Sequence, residues 1–507
     1  MHGKRPEKGE LGEEMMTMVV GKSRGLVLGL TLIATLGGLL FGYDTAVISG
    51  AVGPIDVNFI DPLGLPETSR SILSGLTVAS ALFGCVIGGA MAGVVGDRLG
   101  RKRGLMVAAA LFLICSLGSA APEFGLGQLG HMGAAALVPF NIYRVIGGVG
   151  VGLASLLAPL YIAEIAPPRV RGRLVSFQQL AIVGGMNLVY FVNYRIALHG
   201  DETYLNTIGW RWMFASEAIP AVLFLVLLLL VPETPRWLVL KGRDAAAKSV
   251  LSRLTDEAEA SVVLQEIEAS LQTKHSPLLT FGPLVLVVGV MLSLFQQLVG
   301  INAVLYYAPM MFKTMGASAH GALLQTVIVG VANVIFTILA MLTVDSLGRK
   351  PLLIIGAVVM AISMLGLGVL FASHQMGLLS LILVLVYIAG FAFSWGPVVW
   401  VMLAEIFPNP IKGQAMAIAV AAQWLANLGV SWSFKVIDSS SFLNAVLNHG
   451  FAYIFYGVMS LLAAVFVWRF VPETKGRTLE AMQDMWARRS RPLAHAPAHV
   501  AVAPIAE

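Results

Sequence analysis

GDRLGRK, residues 96–102, returns as DSLGRK at residues 345–350. Two further stretches repeat in the same order. AEIAPPRVRGR (163–173) returns as AEIFPNPIKG (404–413), and VPETPR (231–236) returns as VPETKGR (471–477). The offsets from Asp97 to Asp345, Glu164 to Glu405 and Pro232 to Pro472 are 248, 241 and 240 residues. Three motifs at nearly one period make the chain a duplication. Each copy starts and ends on the same side of whatever it crosses, so the halves run parallel. Parallel repeats of this kind build transporters whose site lies at mid-membrane between the halves.

The stretches between the motifs are apolar. Of 507 residues, 57% are hydrophobic and 12% charged, with mean hydropathy +0.82. Soluble domains carry about 25% charged residues, so a water-soluble enzyme and a nucleic-acid binder are excluded. Runs of about 20 apolar residues span a bilayer. Twelve occur, near 25–50, 72–96, 104–122, 139–164, 174–197, 211–231, 281–312, 320–344, 351–373, 378–406, 414–437 and 450–471. The predicted fold class is therefore an all-α integral membrane protein with two parallel six-helix halves, 25–231 and 281–471.

Placing the N-terminus in the cytoplasm puts 26 of the 33 Lys and Arg on the cytoplasmic side. That excess is the positive-inside signal. The segment 1–24 lacks a secretory cleavage pattern, so the first span is expected to be retained. Residues 232–280 are expected to form two or three short amphipathic helices between the halves. Residues 472–507 form a cytoplasmic tail ending in an Ala/Pro-rich stretch. Cys85 and Cys115 sit 30 residues apart inside apolar runs, with neither disulfide nor metal-ligand spacing. No phosphate loop, nucleophile–base pattern, cofactor signature or Asn-x-Ser/Thr sequon is present. The missing sequon favours a bacterial inner membrane over a glycosylated surface.

GDRLGRK, PETPRWL (232–238) and PETKGRTLE (472–480), with FGYDTAVISG (41–50), FQQLVGINAVLYYAP (295–309) and AVAAQWLAN (419–427), resemble the sugar porter family of the major facilitator superfamily. The resemblance covers about residues 25–485 and is greatest toward bacterial members that carry D-xylose with a proton. It implies a twelve-helix fold, coupled monosaccharide transport with the proton as coupling ion, and a monomer in the lipid bilayer.

Asp44 and Arg144 lie within predicted spans, each five or six residues from the outer end. At 1.5 Å per residue their depths match, so they can pair. An unpaired charge there costs at least about 2.5–3.5 kcal/mol. Two readings follow: a static pair that fixes helix packing, or a proton switch in which protonated Asp44 releases Arg144. The resemblance favours the switch, because facilitative relatives commonly carry an uncharged residue at the position of Asp44.

A sugar site needs amide donors and acceptors with aromatic walls. Gln179, Gln296, Gln297, Asn302, Tyr306, Asn333, Gln423 and Trp424 are candidates, with Trp400 and Phe41 as apolar surfaces. Asn302 and Tyr306 are four apart and share a helix face. Gly300 offers a break that turns Gln297 and Asn302 inward, and Trp395-Gly396-Pro397 is expected to interrupt the tenth span. Taken singly, each amide is equally an interhelical hydrogen bond, worth about 0.6 kcal/mol. The cluster of Gln296, Gln297 and Asn302 matches the family's sugar-binding motif. Met186 departs from the family pattern, which leads to the expectation of a second glutamine there. D-xylose is the first choice of substrate, and D-glucose or another aldose stays open.

At the cytoplasmic ends, Asp97, Arg98, Arg101, Glu164, Arg173, Glu233, Asp345, Arg349, Glu405 and Glu473 anchor the topology by charge. The resemblance implies, beyond that, ion pairs that close the cytoplasmic side. Two rival functions remain: an uncoupled sugar facilitator, and a sugar sensor that moves nothing. The short tail disfavours the sensor.

Overall fold

In the computed structural model the described residues are 8–490, except 129, 131, 168–169, 256, 272–275 and 478. Among them no strand occurs, and twelve helical segments are long and apolar enough to cross a membrane. They are α1 (Gly25–Gly50), α2 (Glu67–Leu99), α3 (Arg101–Ala120), α4 (Gly133–Ile165), α5 (Arg171–Ala197) and α6 (Glu202–Leu230). The second set is α7 (Pro283–Thr314), α8 (Ala319–Leu347), α9 (Arg349–Ala372), α10 (Leu378–Ile406), α11 (Lys412–Asp438) and α12 (Phe451–Phe470). Large apolar side chains such as Ile219, Leu230, Leu342, Ile362 and Val369 point outward. Exposed apolar surface on that scale marks a lipid-facing protein.

Between the halves lie three short helices, Pro235–Leu240, Asp244–Leu254 and Glu257–Leu271. Trp237 ties the first to the N-terminal half, donating its indole N–H to the Asp97 carbonyl at 3.0 Å. Two helical features go beyond the sequence reading. The first helix begins at Lys8, seventeen residues before the apolar run. A further helix, Leu479–Ser490, follows PETKGRTLE, and its buried Trp486 donates to the Ile406 carbonyl at 3.0 Å. The Ala/Pro-rich stretch beyond residue 490 lies outside the described residues.

Two spans are broken inside the second half. α7 stops at Leu298 and restarts at Ile301. Gly300 makes that break with φ 92°, and a Cβ there would strike the Tyr456 ring. α10 breaks at Ser394, between Phe393 and Trp395. Pro397 has no N–H to continue the ladder back into the preceding turn. Both interruptions face the centre of the molecule, where the cavity lies.

Candidate functional site

The cavity sits between the halves and measures about 730 Å³, counting space open to solvent. All ten candidates from the sequence line it: Phe41, Gln179, Gln296, Gln297, Asn302, Tyr306, Asn333, Trp400, Gln423 and Trp424. Met186 lines it too. Thr337, Asn427 and Phe391 also face it and were not singled out from the sequence. Thr337 follows Asn333 by one turn of α8, a pattern that helical spacing would have flagged.

The amides form a relay. Asn302 donates to Gln297 at 2.7 Å, and Gln297 donates to Gln296 at 3.3 Å. Gln296 donates in turn to the carbonyls of Trp395 and Gly396, at 3.0 and 3.3 Å. Gln296 therefore also ties broken α7 to broken α10, which is the structural reading of that residue. Gln423 is buried, and its carbonyl oxygen meets no donor among the described residues. It is an acceptor open to a ligand. Phe41 of α1 and Trp424 of α11 touch across the cavity, with ring centroids 5.5 Å apart. This tilted pair, with 41° between the ring planes, walls the space without charge, as a neutral polyol requires.

Three residues beyond Phe41 on α1 is Asp44. The helix tightens to a 3₁₀ turn at Ile48. Nearby carbonyls accept from side chains, Val47 from Asn193 and Asp44 from Arg144. Arg144 grips Asp44 twice, through Nη1 to Oδ1 at 2.6 Å and Nη2 to the backbone carbonyl at 2.9 Å. Both side chains are within 1% of full burial. The guanidinium lies over the Phe214 ring at 5.5 Å.

Sequence reading missed two members of this cluster. The Cys115 thiol of α3 donates to Asp44 Oδ1 at 3.3 Å. Glu217 of α6 is fully buried, and no described donor reaches either of its oxygens. Asp44 Oδ2 also lacks a donor. Ligand-type atoms of Asp44, Cys115 and Glu217 all lie within 4.8 Å of one another. The cation beside them is the Arg144 guanidinium. Two carboxyls against one guanidinium are electrically neutral when one carboxyl holds a proton, so the cluster can bind a single H⁺ at no net charge. The signal for Glu217 was present: an acidic residue inside an apolar run, which costs too much to be idle. Cys115 carried no such signal, since a thiol reads as one more small apolar side chain.

The basic end is built twice. In the first half Arg101 pairs with Glu164 at 3.0 Å and Asp97 at 3.3 Å. In the second, Arg349 pairs with Glu405 and Asp345, both at 2.9 Å. Glu233 and Glu473 act differently from the implied ion pairs. Each caps a helix start, Glu233 accepting from the Arg101 and Lys102 N–H groups and Glu473 from those of Arg349 and Lys350. Gly100 and Gly348 make the turns that present these N–H groups, with φ 98° and 89°. A carboxylate at a helix N-terminus satisfies donors that have no partner in the helix. Burial pushes the Glu473 carboxyl up, but the N–H groups of Lys475, Arg349, Lys350 and Thr474 outweigh it and hold it below the usual range. Among the described residues Arg98 and Arg173 form no ion pair. Among the described residues every ion pair at this end stays within one half. The bonds that cross between halves lie deeper or at the opposite end: Tyr190 to the Leu305 carbonyl, Lys435 to Asp56, Lys313 to Glu202 and His320 to the Gly200 carbonyl.

Residues 30–486 match the family model described as sugar (and other) transporter. The D-xylose-proton symporter of Escherichia coli K12 is 55% identical over 469 residues, covering 91% of this chain and 96% of that protein. The glucose facilitated diffusion protein of Zymomonas mobilis is 48% identical over 468 residues, covering 92% and 98%. The xylose transporter XylE of Escherichia coli, in a partially occluded inward-open conformation, superposes with a TM-score of 0.81 at 53% identity, covering 89% of this chain and 99% of that one. On this sequence, fold and likeness, the chain belongs to the sugar porter family of the major facilitator superfamily.

Proposed function

We propose that this protein carries a monosaccharide into the cell together with a proton, by alternating access, and that D-xylose is its first substrate. The observation that carries the reading is the buried Asp44–Arg144 pair with a second buried carboxyl, Glu217, beside it, three residues along α1 from the cavity wall. Two carboxyls sharing one guanidinium offer a place for a single proton, which uncoupled transport does not require. A family likeness does not decide the matter by itself, because both a symporter and a facilitated-diffusion protein stand among the relatives.

Mechanistically, ionised Asp44 holds Arg144 against α1. Protonation removes the attraction at Oδ1 and leaves the carbonyl contact, so the packing of α1 on α4 loosens. Sugar bridging Gln179 of the first half to Gln296, Gln297, Asn302, Asn333 and Gln423 of the second then favours closure around it. A proton entering down 100 mV supplies about 2.3 kcal/mol. That supports roughly a fiftyfold sugar gradient at about 1.4 kcal/mol per decade.

The moving bodies are residues 25–231 and 281–471, joined by 232–280, with 1–24 and 472–507 outside them. The basic end faces the cytoplasm, both termini lie there, and the protein works as a monomer in the inner membrane. With the outer end bonded shut and the basic-end ion pairs confined to single halves, the conformation described here is inward-facing. Asp97, Arg101, Glu164, Asp345, Arg349 and Glu405 engage across the halves only in the other state.

The test is sugar-induced alkalinisation of lightly buffered cells with a panel of pentoses and hexoses, for the wild type and Asp44→Asn. Alkalinisation by D-xylose, lost in Asp44→Asn, is the expected result. Sugar entry by the wild type with no proton movement leaves the facilitator, and binding without entry leaves the sensor. The panel also reads the sugar choice. Met186 places a thioether, not an amide, in the cavity wall. A preference for a hexose in the panel would replace D-xylose.

A further inference from the structure

The bonds that close the outer end are unequal. Lys313–Glu202 joins the halves at 3.4 Å, but its side chains are 47% and 70% exposed. Pairs that open to water contribute little. Lys435–Asp56 joins them at 3.2 Å with side chains only 11% and 8% exposed. Asp56 opens the short turn Asp56–Ile60 after α1, and Lys435 lies in the last turn of α11. Each partner is held from its own half. Ser74 of α2 donates to Asp56 Oδ1 at 2.6 Å, and the Lys435 ammonium rests 3.4 Å from Met310 Sδ of α7. Directly before Lys435, Phe434 packs on Tyr307 with ring centroids 4.9 Å apart.

We propose that Asp56 and Lys435 are the latch of the outer gate, a buried ion pair between the halves that sets the balance between the two access states. Opening the outer mouth must part α11 from the end of α1, so the pair exists only while that mouth is shut. Once it parts, both charges enter a water-filled funnel and are solvated. Removing one partner therefore leaves an unpaired buried charge in the closed form only, which is the costly case. Removing both leaves no buried charge, and an ion pair replaced by neutral groups of similar shape is close to neutral. The latch thus makes a signature that runs against additivity: each single change drives the molecule outward-open, and the double change returns it. The latch needs only that the halves rock, whether or not a proton or D-xylose is what moves.

The experiment places spin labels at Val57→Cys and Phe442→Cys, both exposed and on opposite halves at the outer end. Cys85 and Cys115 are fully buried and stay in place. Distances are read by double electron–electron resonance on the full chain in lipid nanodiscs without sugar. Lys435→Met and Asp56→Asn are each expected to raise the long-distance, outward-open population about tenfold, a change worth ~1.4 kcal/mol. The double variant is expected to fall back toward the wild type, and Lys435→Arg to match it. Unchanged distances in both single variants, or single shifts that add in the double, overturn the latch. If a single variant does not purify, entry and exit of labelled D-xylose in cells read the same balance. The half-saturation for entry should then fall relative to exit, and an unchanged ratio counts against the latch in the same way.

Discussion

The two halves descend from one repeat, yet they have kept different things. At the basic end they are nearly superposable in chemistry, with Arg101, Glu164, Asp97 and the capping Glu233 answered by Arg349, Glu405, Asp345 and Glu473. Inside the membrane they diverge. The first half buries Asp44, Arg144 and Glu217 together, with Glu217 at the break between the helices Trp210–Ala215 and Ala218–Leu230. The second presents neutral amides on two broken ones. Broken helices suit a polyol, because side chains near the break converge on one point. On the proposed reading the proton belongs to one half and most of the sugar to the other, and the halves touch between the two at Phe41 against Trp424.

The largest expected effect comes from Glu217. If the proton is shared within the first half, Glu217→Gln removes one of the two carboxyls and the cluster is neutral with Asp44 ionised. Uphill accumulation of sugar should then fall from about fiftyfold toward unity. Exchange of labelled sugar across energised-poor vesicles should persist at near wild-type rates. Full accumulation in Glu217→Gln would confine the proton to Asp44 and narrow the comparison to a single residue.

The next effect sits in the other half. Asn302→Ala removes the first donor of the relay and leaves the Gln297 oxygen without it. A hydrogen bond of this kind, with its partner left unsatisfied, is worth about 1–3 kcal/mol. Sugar affinity by tryptophan fluorescence should drop about tenfold or more. The pH dependence of transport should not move. A shift in that pH dependence would mean that the division of labour between halves is not clean.

A smaller and symmetric effect is expected at the basic end. Arg101→Ala and Arg349→Ala each open a cluster of the same design. Both should slow net transport several-fold, and both should leave sugar binding within about twofold, because ion pairs that differ between the access states bias the conformational balance and not the distant site. Flux assays alongside equilibrium binding separate the two. Equal losses in flux and affinity would remove the gating role, and unequal losses between the halves would show that the duplication has diverged there as well.

What the sequence made legible follows the same divide. The twelve spans and the repeated ends were readable because hydropathy and motif recurrence are local signals. The ten cavity residues were readable because polar groups in apolar runs are rare and because their motifs resemble a known family. Long-range pairings were not readable. Nothing in the local sequence joins Asp56 to Lys435, or Cys115 to Asp44, and only the packing of α1, α2, α3 and α11 does so. The helix Leu479–Ser490 was also missed, since a charged, amphipathic segment after the last span reads as tail until Trp486 is seen buried against the Ile406 carbonyl.

The smallest effect sharpens the comparison from the outer rim of the second half. His449 Nδ1 lies 3.0 Å from Asp438. The hydrogen bond to Asp438 raises the histidine's affinity for a proton above the usual range, and partial burial opposes it less strongly. A group whose folded-state pKa is raised stabilises the fold below its unfolded value, about 6.5, and loses that contribution as pH rises through the folded value. Thermal unfolding of the wild type should therefore show slightly lower stability at pH 8.5 than at pH 5.5, and His449→Gln should flatten that difference. The same variant should leave the pH dependence of sugar uptake where it was, because this histidine lies in the second half, outside the cluster of Asp44, Arg144 and Glu217. A shifted uptake profile in His449→Gln would move part of the coupling into the second half.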